Sequence, residues 1–167
     1  MKWRALVVVC LALLPLGCSS SPLQDIPESK TVVFEGLPHP MYESELLESE
    51  KESKATTTLH NCYFYEPSQP AKDTETNELR NVLSDPEGFS PFEGEKKCGG
   101  FHADYAVAWK EEGRVFEVLI CFGCGEVKRY GPRGEVREDM KQPTREKLKM
   151  ILKMYDNVRP PHKMPWP

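Results

Sequence analysis

DYAVAWKEEGRVFEVLICFGCGEVKRY, residues 104–130, is three β-rich runs separated by Glu111-Glu112-Gly113 and Gly123-Cys124-Gly125. In the first run Tyr105, Val107 and Trp109 fall on one face and Ala106 and Ala108 on the other, the period of two that a strand requires. Residues 115–122 are apolar on nearly both faces, as in a central strand covered on both sides. Glu126 to Tyr130 returns as a third strand. After Gly131-Pro132-Arg133-Gly134 a fourth is expected over Glu135 to Glu138.

Downstream, Pro143 suits the first turn of a helix, and Leu148, Ile151, Leu152 and Tyr155 recur at helical spacing with lysines opposite. Upstream, Thr31 to Glu35 reads as a short strand stopped by Gly36-Leu37-Pro38-His39-Pro40. Residues 43–54 are charged with little apolar face, an exposed helix or a loop anchored by Leu46 and Leu47. Thr56 to Tyr65 reads as one strand closed by Pro67. Leu79, Val82 and Leu83 suit a short helix that ends before Pro86, and 85–97 reads as a loop. The expected class is α+β: an antiparallel sheet of three to four strands packed on a C-terminal helix, with a second short helix.

The N-terminus is Met-Lys-Trp-Arg, then an apolar run of 12 residues from Ala5 to Leu16, then Gly17-Cys18-Ser19-Ser20-Ser21. Charge, a short apolar stretch and a small residue before the cut are the parts of a secretory signal. The run is far short of the ~20 residues that span a bilayer. Gly17-Cys18 resembles a lipobox, although Pro15 and Leu16 depart from its usual Leu-small pattern. The resemblance implies cleavage before Cys18 and fatty-acyl (palmitate-type) modification of that thiol. The implied location is exported, anchored by lipid on the periplasmic side of a membrane. Ser19 resembles the sorting pattern of the outer rather than the inner membrane. The organisation expected is a signal peptide over 1–17, a lipidated flexible tether over 18–30, one domain over 31–158 and a Pro-rich tail over 159–167.

Loss of Lys2 and Arg4 with the signal takes the net charge from −4 to −6. Residues 18–97 carry 16 acidic and 7 basic residues, whereas 126–163 carry 6 and 11. An exported chain with a net negative charge is a poor nucleic-acid binder. The lysine-rich C-terminal segment is read as a solvated helix face.

Cys62, Cys98, Cys121 and Cys124 remain besides Cys18. An even number outside the cytoplasm suits disulfides. Cys121-Phe122-Gly123-Cys124-Gly125 also has the shape of a zinc knuckle, and Cys98-Gly99-Gly100-Phe101-His102 opens the preceding strand. Cys98, His102, Cys121 and Cys124 would then share one end of the sheet, a closed tetrahedral set as structural zinc prefers; a metal-handling protein that binds zinc or copper exchangeably on the same four residues is the alternative function. A disulfide from Cys98 to Cys121 or Cys124, with Cys62 taking the remaining partner, needs no metal. A redox Cys-x-x-Cys is the third reading. It lacks the helix N-terminus that lowers a thiol pKa.

His60 and Cys62, two apart on an expected strand, share a face and either could join a metal site, but they and His39, between two prolines, read first as surface or packing residues. His162 lies in the tail. No Gly-x-Ser-x-Gly, phosphate-cradling loop or His-Glu-x-x-His is present. The carboxylate pairs all fall in polar stretches that read as solvated, and Asp104 beside His102 is the one suggestive pairing. An enzyme is not expected; the partner, protein or small molecule, is left open.

Glu35-Gly36-Leu37-Pro38-His39-Pro40, the segment from Cys98 to Tyr105 and that from Leu119 to Lys128 resemble small exported proteins, often lipoproteins, of planctomycete-type bacteria. The resemblance spans residues 31–158. It implies no activity, and it favours a single site at the cysteine cluster.

Overall fold

The computed structural model describes residues 23, 26–28, 30–97 and 99–161. Strands β1 (Thr31–Glu35), β2 (Thr56–Leu59), β3 (Cys62–Tyr65), β4 (Gln69–Pro70), β5 (Phe89–Pro91), β6 (Tyr105–Glu111), β7 (Arg114–Cys121), β8 (Glu126–Gly131) and β9 (Gly134–Met140) combine with helices α1 (Ser44–Ser53), α2 (Asp73–Ser84) and α3 (Gln142–Leu152). The class is α+β.

The sheet is larger than the sequence suggests: seven antiparallel strands in the order β4-β1-β6-β7-β8-β9-β5, with β2-β3 a separate hairpin. The meander β6 to β9 matches the three runs and the fourth strand. Its first turn carries Glu112 and Gly113 at φ 50° and 72°, values that match a two-residue hairpin. The extra strands come from long-range pairing. β1 lies against β6 with Val33 opposite Val107, and β5, inside the expected 85–97 loop, pairs with β9 through Phe89 and Met140.

Two further expectations are corrected. Residues 56–65 form a hairpin, because His60 and Asn61 both take positive φ (48° and 65°) and turn the chain back. His60 and Cys62 therefore do not share a strand face. Among the described residues there are three α-helices, and residues 44–53 form α1.

The alternation in β6 sorts two cores. Tyr105, Val107 and Trp109 join Val118, Ile120 and Val127 in a cluster that includes Leu79, Val82 and Leu83 of α2 and Leu148, Ile151 and Leu152 of α3. Each such aliphatic side chain contributes about 1.5–3 kcal/mol by leaving water. On the opposite face Ala106 and Ala108, small enough to admit a second layer, lie with Leu119 under Phe34, Leu59 and Phe64. Leu23 and Ile26, within the expected tether, are buried in this second cluster. No described helix is long and apolar enough to cross a membrane.

Candidate functional site

Five segments converge at the end of the sheet where β1 and β7 finish and β6 begins: 35–43, 99–105, 121–124, the first turns of α3, and 156–161. Gly36 lets β1 cross this end closely. A Cβ there would lie 2.1 Å from the Ala103 carbonyl oxygen, and the Gly36 N–H donates to Asp104 O at 2.8 Å. Gly99, at φ +80°, brings the 99–102 loop against His39 and Met41, where a Cβ would meet His39 Cε1 at 3.0 Å.

The acids here are buried. Glu35 is 3 % exposed and Asp104 7 %. Glu35 accepts backbone N–H bonds from Asn157, Val158 and Arg159 at 3.1, 2.9 and 2.9 Å. Asp104 accepts the Phe122 N–H at 2.7 Å, and the Arg159 guanidinium lies 3.3 Å from Asp104 and 3.2 Å from Glu43. Glu43 also accepts the His39 N–H at 3.0 Å. Partners of this kind make burial of a carboxylate tolerable.

The His39 and His102 rings pack against each other with centres 4.7 Å apart and planes tilted by 46°. His102 Nε2 lies 2.8 Å from the Leu37 carbonyl, which can only accept, so Nε2 carries the proton. Its Nδ1 is buried without a hydrogen-bond partner, 3.6 Å from Asp104 Oδ1. That separation, with burial lowering the His102 pKa, describes a neutral imidazole beside a carboxylate rather than an ion pair. Burial and then the neighbouring His102 lower His39 to about 4.

The cysteines are only partly brought together. Cys121 is buried, and its sulfur accepts the backbone N–H groups of Cys124, at 3.3 Å, and of His102. Burial pushes its pKa up to about 11, with Asp104 adding to the rise. Cys62 and Cys121 are free thiols. Burial raises Cys62 too. Cys124 is disulfide-bonded, and its sulfur lies 3.3 Å from the Gly100 carbonyl oxygen. Cys98, Cys18 and His162 lie outside the described residues. Among the described residues no three His, Cys, Asp or Glu side chains are grouped to hold a metal. His102 and Cys121 thus adjoin as the hairpin reading required, with the imidazole engaged by Leu37.

Beside this lattice opens a cleft of about 540 Å³, bordered by Phe122, Gly123, Arg145, Lys149 and Arg159, with Glu35 and Asp104 in its lining. That is the size of a small-molecule site. Sequence reasoning missed Glu35, Glu43, Arg145 and Arg159. Arg145 shares the α3 stripe's side of the helix, a signal that the lysine-rich composition masked. Compared with family models, curated proteins and solved structures, the chain matches none.

Proposed function

We propose that the protein is a non-catalytic binding domain displayed at an exported membrane surface, held there by lipid on Cys18. The observation that carries the binding reading is the state of the polar groups around the cleft. Glu35, Asp104 and Arg159 are tied to one another or to backbone. Cys121 is a buried thiol pushed up to about 11, and His39 is lowered to about 4. A nucleophile or general base needs a reactive form poised near working pH; of these groups only Glu35, Asp104 and Arg159 line the cleft, where their partners hold them as a rigid wall.

In this reading the 99–102 loop is stapled to the β7–β8 turn by Cys98–Cys124. Cys62 and Cys121 being free, and Gly100 being beside the Cys124 sulfur, favour Cys98 as the partner. α3 borders the cleft through Arg145 and Lys149.

The test is phase partition of the full chain expressed in a bacterium with two membranes, beside Cys18→Ala. Wild type is expected in the detergent phase and Cys18→Ala in the aqueous phase. Wild type in the aqueous phase would refute the anchor.

One observation favours a second reading, exchangeable zinc or copper on Cys98, His102, Cys121 and Cys124. The Cys121 sulfur already accepts two backbone N–H bonds, which suit a thiolate ligand. That reading requires an open disulfide. One equivalent of zinc retained by the reduced full chain and lost in Cys121→Ser supports it; no retained zinc rejects it. Thiol–disulfide exchange through Cys121 and Cys124 is disfavoured by the raised Cys121 pKa.

A further inference from the structure

Arg145 is the cleft's unmatched charge. Arg159 is paired with Asp104 and Glu43, and Lys149 with Glu146 at 3.3 Å. Arg145 has no carboxylate within ion-pair distance among the described residues, and it donates only to the Phe122 carbonyl oxygen. Its Nε is buried without a partner. The acids of the lining are, by contrast, already engaged. Both oxygens of Glu35 accept from the backbone of 157–159, both of Asp104 face protein donors, and Asp156 accepts from the Tyr105 hydroxyl.

Arg145 and Lys149 are four residues apart on α3 and so present their cations to the same cleft. The Phe122 ring packs beside Lys149 and Tyr105: Lys149 Nζ is 5.9 Å from its centre, and Tyr105 packs edge-on at 6.0 Å. Among the described residues the wall is therefore one cation without a counter-ion, a second one turn away, and an aromatic surface beside it.

We propose that this cleft binds a ligand bearing a single carboxylate next to an apolar or aromatic group, with Arg145 as its principal counter-ion and Lys149 as a secondary one. A monoanion fits better than a phosphate ester, because among the described residues only the Arg145 guanidinium of the lining lacks a carboxylate partner. A planar carboxylate also matches the guanidinium edge. The inference rests on reading the protein as a binding domain, and it is independent of the lipid anchor.

Isothermal titration of the full chain in detergent, with N-acetylphenylalanine and its neutral amide, tests it. A pentapeptide ending in Phe, with free or amidated C-terminus, separates a small acid from a peptide terminus as the source of the carboxylate. At least one acid is expected to bind about tenfold or more tightly than its amide. Arg145→Gln should weaken the acid about tenfold and Lys149→Gln by a few-fold, with the amide unaffected. The partly exposed Lys149 and the amide comparison keep the test valid should Arg145→Gln fold poorly. Equal binding of acid and amide, no binding of either acid, or affinities indifferent to both substitutions would overturn the proposal. Cys18→Ala is expected to leave these affinities unchanged, so failure of the anchor and failure of the site are read separately.

Discussion

Glu35, at the end of β1, holds the C-terminal strap by its backbone: its Oε1 accepts the Arg159 N–H at 2.9 Å, while Oε2 takes Asn157 and Val158. The Arg159 side chain then reaches Asp104 and Glu43. One buried carboxylate thus orders the segment that closes one side of the cleft. Glu35→Gln keeps the shape but turns an amide NH₂ toward backbone donors. It should cost about 1–3 kcal/mol in urea unfolding, the range for unsatisfied buried polar groups. A loss below about 0.5 kcal/mol would mean that the strap is held by other contacts.

Glu126 on β8 is fully buried and accepts from Arg137 of β9 at 2.7 and 3.0 Å. Arg137→Met strands that carboxylate and should destabilise by about 3 kcal/mol or more. Adding Glu126→Leu should restore most of the loss. A double variant as unstable as the single one would show that Arg137 acts by packing on Phe92, whose ring centre lies 3.9 Å from its guanidinium carbon.

The thiols should differ from free cysteine. With Cys121 pushed up from 9.0 to about 11, its thiolate fraction near pH 8 is about a hundredfold lower. In the native chain iodoacetamide should leave Cys121 unmodified over the time that labels a model thiol. Denaturation should expose it. Rapid native labelling of Cys121 would contradict its burial.

Acid should weaken the fold through His39. Its folded pKa of about 4 lies below the unfolded 6.5, so the unfolded chain binds the proton first. Above 6.5 both states are neutral and this group adds no pH dependence. As pH falls from 6.5 toward 4 the unfolded state gains, by up to about 3 kcal/mol in total. His102, Arg159, Glu43 and Asp104 face His39 and contribute to its shift, so the comparison must be with a variant. In His39→Asn, whose amide oxygen can still accept the Met41 N–H, melting temperature should fall less steeply over that window. Identical slopes would remove His39 as the cause.

Much of the meander was legible because its information is local. Alternation in β6, the apolar run of β7 and the Glu112-Gly113 turn each announce themselves within ten residues. β1–β6 and β5–β9 pairing depends on chain segments some seventy and fifty residues apart, and no periodicity in Phe89-Ser90-Pro91 encodes it. The β2–β3 turn was hidden because His60-Asn61 takes positive φ without a glycine; Asn tolerates it, yet it gives a weaker signal.

At the site, the neighbourhood of His102 and Cys121 follows from hairpin geometry and could be read. The burial of Glu35 could not, since the donors that satisfy it lie more than 120 residues away. Nor does spacing reveal that His102 bonds Leu37 rather than Asp104.

The central claim, an acylated and disulfide-stapled domain, is tested most directly by intact mass spectrometry. The full chain would be taken from the membrane fraction and alkylated under denaturing, non-reducing conditions. The expected mass is that of residues 18–167 with acyl chains on Cys18, two alkylated cysteines at Cys62 and Cys121, and one intact disulfide at Cys124. An unacylated Cys18, or alkylation at Cys124, would contradict it.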